Sequence, residues 1–402
     1  ANLNNVKFQG VYFFIYLCKH TLKPQTTKLF YLFSSLILFA LFIQVILANF
    51  DSAIIKHLLK PIFSLAAALL ICSVIGKRLT LALLIDYILT AALLQAVISF
   101  ILFLNPDIYD YTMSFIEFDD IQRSNVLGLV RYRLVGVGNS IWFGAANYGI
   151  DLLLLASLPY VKGSYFFKNK FLYYLTIVIV IIAGVLSART FFTVFIVVGL
   201  YLFLVRKSSN TKLIGRVFRI VAISAISLPI LLNVASSFID FDRLETISSW
   251  AFEMFKSFDE SHVATTHSSE RMAEMYHHVP DDLGGWLLGE GQYENADGSY
   301  YKDTDIGYIR LILYFGIIGL FYYLFSIYKF YKYTSRLYYK EIRYLILCIL
   351  FFELILLGKG IISLSIYVSL FYVTGIFINK NNKVNYERKA PKQQGVNNSP
   401  ML

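Results

Sequence analysis

Long apolar runs separated by short polar loops decide most of what this chain can fold into. An α-helix needs about 20 residues to cross a hydrocarbon core about 30 Å thick. Candidate spans fall at 9–18, 28–49, 57–76, 79–105, 140–160, 171–187, 190–205, 215–235, 307–328, 343–357 and 361–379. With no water in a bilayer core, each run has to satisfy its own backbone N–H and C=O groups, which makes them helices. Composition agrees: hydrophobic residues are 57% of the 402 and charged residues only 15%, where a soluble domain carries about 25%. The expected fold is an all-α polytopic membrane protein of about eleven transmembrane helices, or twelve if another precedes the short stretch 9–18. That stretch lacks the basic start and small-residue cleavage site of a secretory signal.

A net charge of +10 would suggest a nucleic-acid partner in a soluble protein. Here the basic residues sit in short loops, so the charge reads as topology, and no nucleic acid is expected. One alternate set of loops holds Lys19, Lys23 and Lys28, then Lys77 and Arg78, then Lys162, Lys168 and Lys170. It continues with the 206–219 and 329–343 clusters and the tail. Together these carry 23 of the 36 Lys and Arg residues. Excess positive charge marks cytoplasmic loops, which puts the C-terminus in the cytoplasm and the long loops outside. Cys18, Cys72 and Cys348 lie in or beside apolar runs without metal spacing and read as small apolar filler.

Four regions follow. Residues 1–235 form an N-terminal bundle of about eight spans with an external loop at 105–139. Residues 236–306 form a large external loop, 307–379 three further spans, and 380–402 a polar tail that reads as disordered. The large loop holds 15 of the 26 acidic residues and four of the six histidines. Leu244, Ile247, Ala251 and Met254 recur at helical spacing beside Trp250 and Phe255, as in a helix lying on a bilayer surface. A second helix is expected from Ser268 or Ser269, with Glu270 in its first turn, where the helix dipole favours an acid. The loop is therefore read as a small folded helical cap.

Several residues could carry chemistry. Arg189 sits at the turn between two spans in an apolar stretch running from Phe171 to Val205. A charge at that depth tends to face a cavity or a partner; the plainer reading is a side chain snorkelling to the headgroups. Arg131 and Arg133 precede Leu134-Val135-Gly136-Val137-Gly138-Asn139. Guanidinium groups suit bidentate capture of phosphate oxygens, although an arginine beside a span end can simply be an anchor. Arg271 lies on the expected loop helix ahead of His277 and His278, with Glu270 and Glu274 as local partners. Adjacent histidines on a helix point about 100° apart, so no metal site is expected from them. Glu117-Phe118-Asp119-Asp120 has a spacing that can hold a divalent cation but reads as a solvated acidic loop. Asp86, Asp151 and Glu353 fall within spans, where they suit packing within the bundle or a proton relay.

At the end of the large loop the chain reads Leu287-Leu288-Gly289-Glu290-Gly291. It then reads Asp303-Thr304-Asp305-Ile306-Gly307-Tyr308-Ile309-Arg310, followed by Tyr314-Phe315-Gly316-Ile317-Ile318-Gly319-Leu320. This order resembles the bacterial O-antigen polymerase and ligase superfamily. There a Gly-x-Gly element in the large periplasmic loop precedes a His-Asn or Asp-containing motif and a span opening Gly-Ile-Ile-Gly-Leu. Arg133 in Arg-Leu-x-Gly, Arg189 in Ser-x-Arg-Thr and Arg271 upstream of Gly-x-Gly are also similar to family positions. The likeness covers residues from about 130 to 320. Ligases tend to carry His-Asn where this chain has Asp305-Ile306, which favours polymerase.

The resemblance implies a GT-C-like membrane glycosyltransferase of the bacterial inner membrane, working without cofactor, nucleotide sugar or metal. Its partners would be undecaprenyl-diphosphate-linked oligosaccharide and membrane lipid, with a chain-length co-polymerase and a flippase of the same pathway. Arg133, Arg189 and Arg271, with Arg310 behind them, would stabilise the diphosphate leaving group. Asp305 would be the general base, with His278, His277 and Glu290 as further candidates. Trp250, Trp286 and Tyr308 would stack on sugars. The alternatives are a ligase transferring glycan to lipid A core and, from another class, a transporter or flippase of a lipid-linked or anionic substrate. A structural scaffold comes last, because Arg189 argues against it.

Overall fold

The computed structural model describes residues 24–115, 133–135, 141–205 and 267–389. The expected spans 9–18 and 215–235, the surface helix with Trp250, the Glu117–Asp120 run, Arg131 and the 136–139 glycine segment lie outside them. Thirteen α-helices cover most of what is described. They are α1 (Pro24–Leu47), α2 (Ala53–Ile75), α3 (Leu81–Leu104), α4 (Pro106–Met113), α5 (Ile141–Ser157), α6 (Tyr165–Lys168), α7 (Lys170–Ser187), α8 (Thr193–Val205), α9 (His267–Met275), α10 (Leu283–Leu288), α11 (Gly307–Ser335), α12 (Lys340–Leu357) and α13 (Ser365–Lys389). Among the described residues the only β-pairing is a single bridge between Glu294 and Tyr300. Five helices are long and apolar enough to cross a membrane: α1 from Thr26, α2, α3, α7 and α11. Large apolar side chains face outward from them and from α8, with Val74 87% and Phe203 70% exposed. In water such surfaces would associate; against lipid they are at home. The protein is an all-α, multi-pass membrane protein.

The helix ends follow local chemistry. Thr80 caps α3 by accepting from Leu83 N at 3.1 Å, and Asn169 caps α7 by accepting from Leu172 N at 3.1 Å. Such caps satisfy N–H groups that have no partner within the helix. Helix α13 lies along α2, α7 along α5, and α12 against α8 and α11. Alternate loops gather at opposite ends of the bundle. At one end Tyr339 Oη donates to Tyr160 O at 2.7 Å, and Asn379 Nδ2 to Leu337 O at 3.4 Å. Near that end Asp86 accepts from Ser164 Oγ and Tyr165 N, at 2.6 and 2.8 Å, and so tethers α3 to α6. Glu353, between α11 and α13, accepts from Tyr331 Oη and from Leu364 N. Both of these acids are thus packing partners. Helix α13 runs past the expected tail boundary at Asn379 to Lys389, since no glycine or proline interrupts the chain until Pro391.

At the other end lies the cap, residues 267–306. Helix α9 begins at His267, beside the expected start, with Glu270 in its first turn. The segment after α10 docks on α11 by backbone contact. Helix α11 breaks at Gly316, whose φ is +67°. The carbonyls left open at the break accept from Glu290 N at 2.6 Å (Leu313 O) and from Gly291 N at 3.3 Å (Tyr314 O). Gly289 and Gly291 also have positive φ, +83° and +68°. A Cβ on Gly289 would sit 2.3 Å from Tyr314 O, and one on Gly316 would sit 2.2 Å from Leu287 O. The two glycine motifs are therefore one structural device, a loop seated in a helix break. The span read as starting at Gly307 is consequently split, with its second piece opening at Gly316.

A second anchor is Asp51, in the α1–α2 loop. Its Oδ2 accepts from Tyr293 N and Glu294 N, at 2.6 and 2.7 Å, while Oδ1 accepts from Ala53 N at 2.9 Å. Beyond it, residues 293–300 fold back through a tight turn at Asp297-Gly298, closed by Asn295 N to Ser299 O at 2.8 Å. This brings the Tyr293 and Tyr300 rings onto the guanidinium of Arg310, 3.6 and 4.1 Å from the ring centroids.

A cationic cluster at the cap end

Arg133 and Arg189 arrive on different elements and are drawn together by backbone contacts. Helix α7 ends at Ser187, Ala188 is extended, and a short 3-10 turn follows over Arg189–Phe192. Gly184 has no side chain, so Phe191 folds flat onto α7; a Cβ there would meet the ring at 2.3 Å. That tight return fixes Arg189 at the mouth of the α7–α8 hairpin. The strand of chain bearing Arg133 is clipped to the same helix end. Leu134 N donates to Leu186 O at 3.0 Å, and Ser187 Oγ lies 3.2 Å from Leu134 O.

A third cation completes the group. Lys359 sits in Gly358-Lys359-Gly360, between α12 and α13, and is half-buried. Burial first, and then the Arg133 guanidinium, lower its ammonium to about 8; Arg189 adds to this and Asp305 opposes it. The Lys359 turn is wedged under the start of α11. A Cβ on Gly307 would come 2.9 Å from Gly360 C, and one on Gly360 would lie 3.6 Å from Asp305 O. Tyr308 Oη donates to Leu354 O at 2.7 Å, and Tyr276 Oη to Gly358 O at 3.4 Å, fastening the cap to the same turn. Burial pushes the Asp305 carboxyl above its ordinary range, and Lys359 is the strongest influence drawing it back, ahead of Arg310 and Arg271. Arg133, Arg189, Lys359 and Asp305 thus form one electrostatic group, with Arg271 on exposed α9 at its edge.

The other candidates are used differently. His278 Nδ1 lies 2.6 Å from Lys302 O. Lys302 Nζ donates to Val279 O at 3.2 Å and pairs with Asp281 at 2.9 Å and Glu290 at 3.1 Å. His278 and Glu290 therefore belong to a knot around Lys302 that ties the cap together, while His277 is exposed. Arg310 is taken up by its two tyrosines, by Tyr293 O at 3.2 Å and by Glu294 at 3.7 Å. Trp286 is half-buried on α10, and Tyr308 spends its hydroxyl on Leu354 O. Lys359 is the residue that sequence reasoning missed. Its only local signal is a lysine between two glycines at the end of a span.

Chemically, convergent guanidinium and ammonium groups beside one half-buried carboxyl suit a phosphate-bearing ligand. The carboxyl could receive a proton from a hydroxyl held nearby. Neither family models, curated proteins nor solved structures give a match to this chain.

Proposed function

We propose that the protein is a surface-polysaccharide polymerase that joins undecaprenyl-diphosphate-linked repeat units by metal-independent glycosyl transfer. In this reading the chain crosses the bacterial inner membrane about eleven times in a GT-C-like bundle. The cap end faces the periplasm and the C-terminus faces the cytoplasm. The observation that carries the reading is Lys359 in the turn packed against Asp305, with Arg133, Arg189 and Asp305 all acting on its charge and the Arg133 segment clipped to the helix end that leads into Arg189. A departing diphosphate gathers negative charge, and preorganised cations aimed at it lower the barrier without having to reorganise. Asp305 takes the proton from the acceptor hydroxyl. Arg133 and Arg189 hold the diphosphate, Arg271 closes over it from α9, and Arg310 acts through the hairpin it braces. A chain-length co-polymerase and a flippase would be partners in the same membrane.

The break in α11 bears on the transporter alternative. Transporters use broken helices near mid-membrane to offer free backbone groups to a substrate. Here the break lies about a third of the way along α11, and the carbonyls it opens, Leu313 O and Tyr314 O, are met by Glu290 N and Gly291 N. It serves docking of the loop. The test is reconstitution of the purified protein with lipid-diphosphate-linked repeat units, with products separated by size. A ladder of multiples of the unit supports the reading. Unchanged substrate, or substrate moved across the bilayer without elongation, refutes it.

A further inference from the structure

Lys359 differs from the two arginines beside it. An arginine stays charged at any pH a protein experiences, whereas a lysine enclosed among cations can lose its proton. Its surroundings come from separate elements. Arg133 is clipped to the end of α7, Arg189 opens the turn into α8, and Asp305 precedes α11. Beyond Asp305 stand Arg310 and Arg271, and the hydroxyls of Tyr276 and Tyr308 fasten the backbone just before Lys359, at Gly358 O and Leu354 O. Gly358 and Gly360 leave room for this packing, as the close approach of Gly360 to Gly307 and Asp305 shows.

We infer that Lys359 is the third cation of an anion site shared with Arg133 and Arg189, and that the site holds a phosphate or diphosphate group firmly only while this amine is charged. The inference shares residues with the polymerase reading but does not need that reaction.

In the protein by itself, burial and Arg133 disfavour the ammonium, lowering it to about 8. A bound anion favours the charged form, so binding is strongest below that pH and weakens above it. The Asp305 carboxylate opposes the anion, and charging Lys359 offsets it. With a value near 8, about nine-tenths of Lys359 is charged at pH 7 and about one-tenth at pH 9. If the charged form alone completes the site, affinity falls up to about tenfold over that range.

The test uses the full chain in phosphatidylcholine nanodiscs, titrated with inorganic pyrophosphate by calorimetry at pH 7 and pH 9. Wild type is expected to weaken up to about tenfold, approaching the affinity of Lys359→Gln, which should be weak at both values. Lys359→Arg should keep the pH 7 affinity at pH 9. Loss of the last pyrophosphate proton over this range adds negative charge and acts on both proteins alike, so the inference is read from the fall of wild type relative to Lys359→Arg. Absence of pyrophosphate binding to wild type at pH 7, or an equal fall in Lys359→Arg, overturns the inference. Repeating the titration in phosphatidylglycerol nanodiscs separates the sources of phosphate. Loss of binding there means that lipid headgroups occupy the same site, and retained binding means a ligand other than the bulk lipid. The expected pyrophosphate pattern together with failed chain elongation would retain the anion site and reject the polymerase.

Discussion

Substituting Gly289 with alanine should detach the cap from α11, and the structure allows the cost to be worked out. The new Cβ would lie 2.3 Å from Tyr314 O and 2.4 Å from Tyr314 C, both of them backbone that no rotamer change can move. The residue would also hold φ +83°, a conformation that costs an L side chain about 1–2 kcal/mol. Relieving the clash pulls Glu290 N and Gly291 N away from Leu313 O and Tyr314 O. Each buried carbonyl left without a donor costs about 1–3 kcal/mol. The total is about 3–8 kcal/mol. Two other glycines act as controls. Gly298 has φ +81° with nothing within 4 Å, so its alanine variant carries only the strain. Gly199, inside α8, also has open space around it, and alanine there should change stability by less than about 1 kcal/mol. Heating detergent-solubilised variants and following the monodisperse fraction gives the order. Gly289→Ala and Gly316→Ala should melt far below wild type, Gly298→Ala slightly below it, and Gly199→Ala alongside it. If Gly289→Ala and Gly298→Ala melted together, the backbone contact with α11 would not hold the cap.

Asp51→Ala removes the acceptor for Tyr293 N and Glu294 N; a loss of about 3 kcal/mol should speed hydrogen exchange of those amides about a hundredfold. Unchanged exchange would mean that Asp51 does not anchor the hairpin. Arg310→Lys replaces a planar group stacked between two tyrosines with a point charge, at about 1–2 kcal/mol. Exchange should rise over 293–300 and stay constant in α12. Asp305→Asn keeps the size of the side chain but cannot accept a proton, so polymer should vanish at unchanged expression. A normal product would remove Asp305 from the chemistry.

Most of the helices were legible because a membrane helix states its length and polarity in consecutive residues. The expected 57–76, 79–105 and 171–187 lie over Ala53–Ile75, Leu81–Leu104 and Lys170–Ser187. What escaped depended on contacts between distant segments. The run from Gly307 to Tyr328 is apolar but for Arg310 and Ser326, and nothing local says that Gly316 breaks it. The break needs the Gly289-Glu290-Gly291 backbone to supply donors. Arg310 was expected to stand behind the diphosphate-binding arginines, and its stacking escaped notice because its two tyrosines lie on a hairpin whose folding depends on Asp51. Lys359 drew no notice in the sequence, since its burial comes from the packing of α11 and the cap over the turn. Arg133 and Arg189 stood out for the opposite reason, as charges inside or beside apolar sequence, Arg189 with no acid in its own hairpin.

The most direct test of the account is Arg189→Ala in cells lacking the native gene, with membrane expression confirmed and surface polysaccharide resolved on a gel. The account predicts that the ladder collapses to lipid core bearing a single repeat unit, because Arg189 holds the diphosphate during elongation. A normal ladder would contradict it and return Arg189 to the headgroups. Long polymer kept on its lipid carrier with none at the surface would also contradict it, and would make the protein a ligase.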